Sequence, residues 1–472
     1  MLTRIVSKRA LRTVLIALGL DEAVAITLIW RGWGCVAVPV TLVLVARCLS
    51  PAEQGYYFTF ASLIALRGIF EMGLGQVVQQ YASHEASALH PGASRCLYGD
   101  NRSKERLTSF GRMAMRWYGT AAILFLTLVL PGGCWFFGRS VPVTSDTQWV
   151  GPWVTAVAAM AGAFALAPLP AILEGCGYVA DVARMRMLEA VFTAVALWVS
   201  LLGGLGLWAV AALYLVTVTW EGVWLAYAFG RFFVDLYRTK SIKVDWKSEV
   251  LPFQWRVAVS CISGYFVFQL ANPVLFKYHG AIVAGQMGMS LAVSQGLLNV
   301  SMSWINTRVP RFARLVARSQ FADLDRLFKI SVLQSQGFLL ASSVAVGVIA
   351  CWLHWTHPVF VQRIVGPLTL ILLLLTALLT NYVWALALYL RSHKKDPLYA
   401  FAVLQGITNS LVAYFLGRSY GALGISAGFA ASMLIVALGS TLVFLRSRRE
   451  WHSAPVSFAA SMSSPVPDHS LT

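Results

Sequence analysis

An arginine and a glutamate lie within a strongly apolar stretch, where charged residues are not expected. The stretch, residues 49–75, reads LSPAEQGYYFTFASLIALRGIFEMGLG and contains Arg67 and Glu71. In a helix these two residues lie one turn apart on the same face. A guanidinium stays charged and binds a phosphate through two parallel hydrogen bonds, whereas a carboxylate binds a cation or a proton. The spacing therefore indicates an anion site, an ion-coupling site or a structural ion pair.

Two more charged residues, Arg31 and Glu221, lie in other apolar stretches. If these stretches cross a membrane as helices, Arg31 lies about 10 Å and Glu71 about 15 Å from the same membrane face. The two could therefore form an ion pair between neighbouring helices. Arg31, Arg67 and Glu71 together carry a positive excess that suits an anionic headgroup; the alternative is an ion-pair triad that only fixes helix packing. Glu221 has no charged partner on its own helix, so we expect it to exchange a coupling proton or to pair with an arginine.

The composition indicates that most of the chain lies in lipid. Of the 472 residues, 58% are hydrophobic and 12% are charged, which is about half the charged fraction of a soluble protein. The mean hydropathy is +0.68. The net charge of +17 would serve nucleic-acid binding only if it were clustered on a soluble module, and the basic residues are instead dispersed between apolar runs. The composition predicts a multi-pass membrane protein that binds no nucleic acid.

Many apolar segments are long enough to cross a bilayer, which takes about 20 residues each. The twelve segments are 24–48, 57–81, 115–137, 151–173, 187–207, 209–230, 254–277, 280–306, 330–352, 364–390, 398–417 and 420–445. Most of the 37 Lys and Arg fall in every second connection and at the two ends. Because basic residues stay on the cytoplasmic side, this alternation predicts that both termini are cytoplasmic.

The longest basic connection divides the segments six and six, as in transporters built from two repeats. The predicted parts are a basic cytoplasmic N-terminal segment (1–23), a first six-helix lobe (24–230), a cytoplasmic linker (231–253), a second six-helix lobe (254–446) and a disordered cytoplasmic tail (447–472). The predicted fold class is an all-α integral membrane protein with about 12 transmembrane helices in two six-helix lobes.

The two predicted lobes differ in their intramembrane chemistry. After Lys277, the predicted segments contain no acidic or basic residue, so neutral amides are the polar candidates there. An amide within a span either hydrogen-bonds a neighbouring helix or contacts a ligand. Our candidate substrate-binding residues are Arg31, Arg67, Asn272 and Asn299, and our candidate coupling-ion residues are Glu71 and Glu221.

No motif of catalytic or cofactor chemistry is found in the sequence. The seven cysteines are scattered without a CxxC pair, and there is no phosphate-binding glycine loop or nucleophile elbow. No connection is long enough to hold a catalytic domain. The sequence therefore predicts a protein that is not an enzyme, has no metal or cofactor, and moves a substrate.

Two short patterns carry a family resemblance. The first segment ends in a Leu-Ser-x-x-Glu-x-Gly phrase and the second contains an acidic-x-Gly-Leu phrase, formed by Leu49, Ser50, Glu53 and Gly55, then by Glu71, Gly73 and Leu74. Together with the segment 252–289, they resemble polysaccharide-biosynthesis exporters. The resemblance implies the oligosaccharide (O-antigen type) flippase branch of the multidrug/oligosaccharidyl-lipid/polysaccharide exporter superfamily, with a MATE-like fold around a central cavity. Glu71 stands where that family commonly has Asp.

The resemblance also implies a function. Such proteins flip a polyprenyl-pyrophosphate-linked oligosaccharide across the bacterial inner membrane for surface polysaccharide synthesis, by alternating access. The expected partners are the lipid-linked oligosaccharide, membrane lipids and a polysaccharide polymerase complex. Two alternatives stay open: a cation-coupled drug exporter of the same fold, and a non-transporting scaffold of a polysaccharide synthase complex. The two intramembrane arginines favour an anionic substrate over a cationic drug.

Overall fold

The computed structural model describes residues 22–92, 96–139, 147–239, 269–356, 362–393 and 397–453, and in addition 254, 258, 262, 264–266 and 395. The predictions for the N-terminal segment up to residue 21, for most of the linker and for the tail beyond residue 453 lie outside the described residues.

In its described residues, the first half of the chain forms helices and one short β-hairpin. Its helices are α1 (Glu22–Cys48), α2 (Pro51–Ile64), α3 (Arg67–Glu71), α4 (Leu74–Ala86), α5 (Asn101–Arg139), α6 (Val150–Leu166), α7 (Pro168–Gly175), α8 (Val179–Leu202) and α9 (Trp208–Arg238). The hairpin pairs β1 (Leu89–Pro91) with β2 (Leu97–Gly99) in antiparallel register. It follows α4 and precedes α5.

The segment predicted as one continuous span over 57–81 is broken in the structure. Met72 and Gly73 adopt left-handed conformations, with φ of 51° and 66°, and the helix axis bends by 44° between Glu71 and Leu74. Hydropathy along the sequence does not locate such a break, since apolar residues continue on both sides of it. Glu71 is the last residue before the interruption.

Within the described residues, the second half contributes five helices with defined bounds, two of which turn back on themselves. They are α10 (Ala271–Asn306), α11 (Val309–Ala317), α12 (Phe321–Thr356), α13 (Pro367–Ser392) and α14 (Tyr399–Ser453). α10 breaks at Gly280 (φ 88°) and α14 at Gly421 (φ 63°). A Cβ at Gly439 would lie 2.6 Å from the Phe401 ring, so the two arms of α14 pack side by side. α14 also extends to Ser453, past residue 447 where the tail is predicted to begin.

The number of spans agrees with the sequence prediction. Within the described residues, nine helices are long and apolar enough to cross a membrane, and the bent pair Pro51–Glu71 and Leu74–Ala86 makes ten. Two of the nine, Gly264–Ala317 and Tyr399–Trp451, have 54 and 53 residues. Each contains a glycine turn and is about twice as long as a single membrane span. Counting each as two spans brings the total to twelve, and the predicted all-α membrane fold is confirmed.

The two ends of the bundle differ in charge. The hairpin end, defined by β1, β2 and α11, carries ion pairs between elements, including Lys104–Asp235 (2.8 Å) and Arg448–Asp325 (2.5 Å). There the backbone N–H and hydroxyl of Ser103 lower the pKa of the exposed Asp100 carboxyl, which lies just before α5. The opposite end, which we call the seam end, carries the glycine turns of α10 and α14.

Candidate functional site

A cavity of about 1150 Å³ lies between α1 of the first half and α10, α12, α13 and α14 of the second. Most of its lining is apolar, and its polar side chains include Arg31, Asn299, Asn306, Arg391 and Gln405. The side chains of Arg31 and Asn299 are exposed. None of the described residues that line the cavity is acidic. An exposed guanidinium such as that of Arg31, in a cavity whose described lining has no carboxylate, suits an anionic ligand.

Arg31 faces the cavity because the other side of α1 is attached to α8. The Trp33 Nε1 donates to the Ala190 carbonyl (3.2 Å), and the Trp198 Nε1 donates to the Thr41 hydroxyl (2.8 Å). The Trp33 and Trp198 rings also lie 5.8 Å apart. These indole contacts fix the rotation of α1, and Arg31 is left on the free side of the helix.

The cavity is closed at the seam end by a contact between α2 and α10, which we call the seam. Gln54 is fully buried there, and its Nε2 donates to the carbonyls of Gly285 and Arg363, each at 2.9 Å. In return its Oε1 accepts from Arg363 Nη1 at 3.3 Å. One amide thus joins α2 to two separate parts of the second half.

Two glycines allow the helices of the seam to approach closely. A Cβ at Gly55 would lie 1.9 Å from the Ala281 carbonyl oxygen, and a Cβ at Gly285 would lie 2.8 Å from the Gly55 nitrogen. Both distances are to backbone atoms, which cannot move aside as a flexible side chain can. Any larger residue at either position would therefore separate the two helices.

Asn272 lies at the seam and outside the cavity lining. It is buried, and its Nδ2 donates to the Ser62 hydroxyl of α2 at 3.2 Å. Its Oδ1 has no hydrogen-bond partner in the part of the chain that the structure describes. This amide holds the two halves together across the seam.

A second polar cluster lies inside the first half. The Tyr118 hydroxyl of α5 donates to Glu71 Oε1 at 3.2 Å. The Arg67 guanidinium lies over the Phe164 ring of α6, 5.9 Å from its centroid. Among the described residues no ion pair joins Glu71 to Arg31 or to Arg67. The carboxylate at the break between α3 and α4 is therefore oriented by a tyrosine.

The cluster continues through three glutamates and a second arginine. Arg186 forms an ion pair with Glu174 at 2.8 Å. Glu221 is buried, with 8% of its surface exposed, and its charge interacts with those of Glu189, Arg67 and Arg186. Several carboxylates and two guanidiniums thus lie together inside the first half. There, opposite charges stabilise one another and like charges repel.

The six predicted site residues lie in three different places in the structure. Arg31 and Asn299 line the cavity between the halves. Arg67, Glu71 and Glu221 belong to the cluster in the first half, and Asn272 belongs to the seam. In the part of the chain that the structure describes, no three His, Cys, Asp or Glu side chains converge as metal ligands would.

Several residues of these sites were not singled out from the sequence. Arg391 reads as part of a basic connection, yet it lines the cavity at the end of α13. Gln54 and Arg363 lie beside connections, and Tyr118 is one of sixteen tyrosines. One signal in the sequence did point to the seam: Gly55 and Gly285 both lie near the start of the second segment of their predicted lobe.

Comparison with known proteins relates the fold to one superfamily. The chain matches no known family profile and no curated protein sequence. It is similar to the structure of an inward-facing multidrug resistance MATE family transporter of the MOP superfamily (TM-score 0.68, 12% identity, covering 89% of this chain and 96% of that one). It is also similar to lipid II flippase MurJ in an inward closed conformation (0.61, 11%, 92% and 89%). A third structure is a MOP superfamily transporter from Pyrococcus furiosus (0.51, 14%, 92% and 97%).

The chain has the fold seen in the MOP superfamily transporters and flippases, and its described helices are long and apolar enough for a multi-pass membrane protein. The predicted MATE-like architecture is confirmed. At these identities the likeness concerns the fold, and the substrate has to be argued from the cavity.

Proposed function

We propose that this chain flips a lipid-linked oligosaccharide with a polyprenyl-pyrophosphate carrier across the bacterial inner membrane. The observation that supports this substrate class most is the exposed guanidinium of Arg31 in a cavity whose described lining contains no acidic residue. A pyrophosphate offers oxygens that guanidiniums bind in pairs. The amides of Asn299 and Gln405 are suited to hydrogen-bond sugar hydroxyls.

The transport cycle that we propose is alternating access. The seam closes one end of the cavity, and access to the other side requires α2 and α10 to separate there. We infer that the seam end faces the periplasm, because the hairpin end carries the basic connections. The association with a polysaccharide polymerase complex stays a prediction from the sequence resemblance.

Ion coupling is assigned to the cluster in the first half. Glu71 lies at a helix interruption, a position at which transporters commonly place ion sites. Met72 holds a left-handed conformation without being a glycine, a strained state that concentrates at functional sites. We propose that Glu71 and Glu221 exchange a proton or a sodium ion, with Arg67 as the nearby fixed charge.

The test of the substrate class is a flipping assay with purified chain in vesicles. A fluorescent polyprenyl-pyrophosphate disaccharide is supplied in one leaflet, and an impermeant reagent measures its arrival in the other. Arg31→Ala should lower the rate about tenfold or more, because a charged hydrogen bond contributes about 1.5–3 kcal/mol. The matched control is Arg47→Ala, since Arg47 is exposed at the other end of α1 and does not line the cavity. Flipping at the wild-type rate in Arg31→Ala would contradict the proposal.

A drug exporter of the same fold is the second candidate. The observation in its favour is the largely apolar wall of the cavity, which suits a lipophilic compound. The exposed guanidinium of Arg31 would repel the cationic compounds that such exporters commonly carry. Efflux of a lipophilic cationic dye by the reconstituted chain, with no lipid flipping, would support this second candidate over the first.

A further inference from the structure

A groove of about 560 Å³ lies between α12 and α13, outside the central cavity. Its α12 wall is built from small residues, including Ser343, Gly347 and Ala350, and its α13 wall from larger ones such as Leu370 and Leu374. Small residues normally let neighbouring helices approach closely in a membrane. Here a Cβ added at Gly347 would meet no atom within 4 Å. The space beside the small residues is therefore unfilled by protein.

The groove opens toward the hydrocarbon of the bilayer. Both helices belong to membrane-spanning segments, Phe321–Trp352 and Pro367–Ser392. At the mouth of the groove Val348 is 64% exposed and Ile371 is 58% exposed. Apolar walls at membrane depth do not hold water, so a hydrocarbon chain is the chemically matched occupant.

The same helix lines both the groove and the central cavity. Val346 and Ile349 of α12 line the cavity, while Gly347 and Val348 line the groove. A helix with its side chains is about 10 Å thick, so one lipid that passes beside α12 would be long enough to reach both places. Its headgroup would lie by Arg31 and its chain would follow α12.

The groove is also continuous with the seam. Ile364 and Val365 form part of its wall. The Val365 N–H donates a hydrogen bond to the Ser290 hydroxyl of α10 at 3.2 Å. Two residues earlier, Arg363 is hydrogen-bonded to Gln54 of α2. A chain that fills the groove therefore presses on the segment that holds the seam end closed.

We propose that this groove binds the isoprenoid chain of the transported lipid while its headgroup occupies the cavity, and that the bound chain bears on the seam through residues 363–365. This inference rests on the proposed function, because it names the site for the second part of the same substrate. The bilayer's own phospholipid chains are the competing occupant.

The experiment uses the full chain in lipid nanodiscs with a phospholipid that carries a photoreactive diazirine in its acyl chain. After irradiation, mass spectrometry maps the labelled peptides. We expect labelling within 343–351 and 367–378, and we expect polyprenyl phosphate to displace that label at least fivefold more effectively than the same amount of unlabelled phosphatidylglycerol. Equal displacement by both lipids would overturn the proposal and assign the groove to bulk phospholipid.

Two pairs of variants make the result specific to the groove. Gly347→Leu should lower the label there at least fivefold, whereas Gly337→Leu, on the same helix with equally open space around it, should leave it unchanged. Ile371→Trp should act like Gly347→Leu, and Leu368→Trp, similarly exposed on α13 but outside the groove lining, is its control. Undiminished labelling in both groove variants would overturn the proposal. The photolabel reports on the groove and the Arg31→Ala flipping assay reports on the substrate class, so the failures are distinguishable.

Discussion

Arg31 and Arg67 are both arginines within membrane-spanning segments, but their surroundings give them different chemistry. Arg31 is exposed in a cavity without a described carboxylate. Arg67 lies near an aromatic ring and within the electrostatic reach of Glu189 and Glu221. The positive charge of a guanidinium among carboxylates is already neutralised by them, whereas a guanidinium among neutral groups attracts an anion. We therefore assign substrate binding to Arg31 first and ion coupling to the cluster around Arg67.

Glu221→Gln tests the coupling role at this scale. The amide has nearly the same shape as the carboxylate but neither binds a proton nor carries a charge. We expect normal expression and a flipping rate that no longer responds to an imposed proton or sodium gradient. The rate with and without the gradient is measured in the vesicle assay, with the exposed Glu450→Gln as the control. A gradient response equal to that of the wild type would show that Glu221 is structural.

Part of this residue-scale chemistry could be predicted from the sequence. Depth can be estimated from residue number because the rise of a helix is constant, and the levels of Arg31 and Glu71 stay a prediction of this kind. The direction in which each side chain points could not be predicted in this way. The indole contacts of Trp33 and Trp198 with α8 set the rotation of α1, and they depend on tertiary packing that no local pattern encodes.

At the scale of elements, backbone breaks determine where the helices can bind and move. The interruption at Met72 and Gly73 places Glu71 at a helix end. The glycines of the seam let α2 and α10 approach to backbone contact. The twelve apolar segments were predictable because hydropathy reports burial in lipid. The break in the second segment was not, because a left-handed Met72 follows from the surrounding fold and not from its own propensity.

Gly285→Ala tests the seam. The added methyl group would lie 2.8 Å from a backbone nitrogen of α2, and such overpacking costs about 1–3 kcal/mol, enough to shift a conformational equilibrium about tenfold. We expect the seam end to open more often, so that a cysteine at position 62, which is 1% exposed as serine, reacts faster with a maleimide.

Gly296→Ala is the matched control on the same helix, since a Cβ there would meet its nearest atom at 3.8 Å. It should leave the labelling rate at position 62 unchanged. Equal labelling rates in Gly285→Ala and in the parent protein would mean that the seam does not hold the closed state.

On the scale of the whole molecule, the intramembrane charge is divided unequally. Glu71, Glu189 and Glu221 lie in the first half, and the second half offers hydroxyls and amides, such as Asn381 bonded to Ser301 and Ser335. We expect a coupling ion to enter and leave through the first half alone. The second half then contributes cavity wall and the groove.

Orientation in the membrane is testable by labelling of single cysteines in a cysteine-free background. Thr356→Cys, exposed at the seam end, should react with an impermeant maleimide in cells whose outer membrane alone is opened. Ser319→Cys, exposed at the hairpin end, should react only after the inner membrane is also permeabilised, because the basic connections favour the cytoplasm. Reaction of position 319 from the periplasm would reverse the proposed orientation.

The glycine turns in α10 and α14 have a mechanical consequence for the second half. Each joins two spans with a single residue of non-helical backbone, and His279 Nε2 bonds to the Gly417 carbonyl at 2.8 Å, which ties the two turns together. At the hairpin end the spans are joined by longer connections, including α11. The second half is therefore stiff at one end and compliant at the other. In the proposed transport cycle the four linked arms would therefore move as one unit at the seam end, while their tips at the hairpin end could move relative to one another.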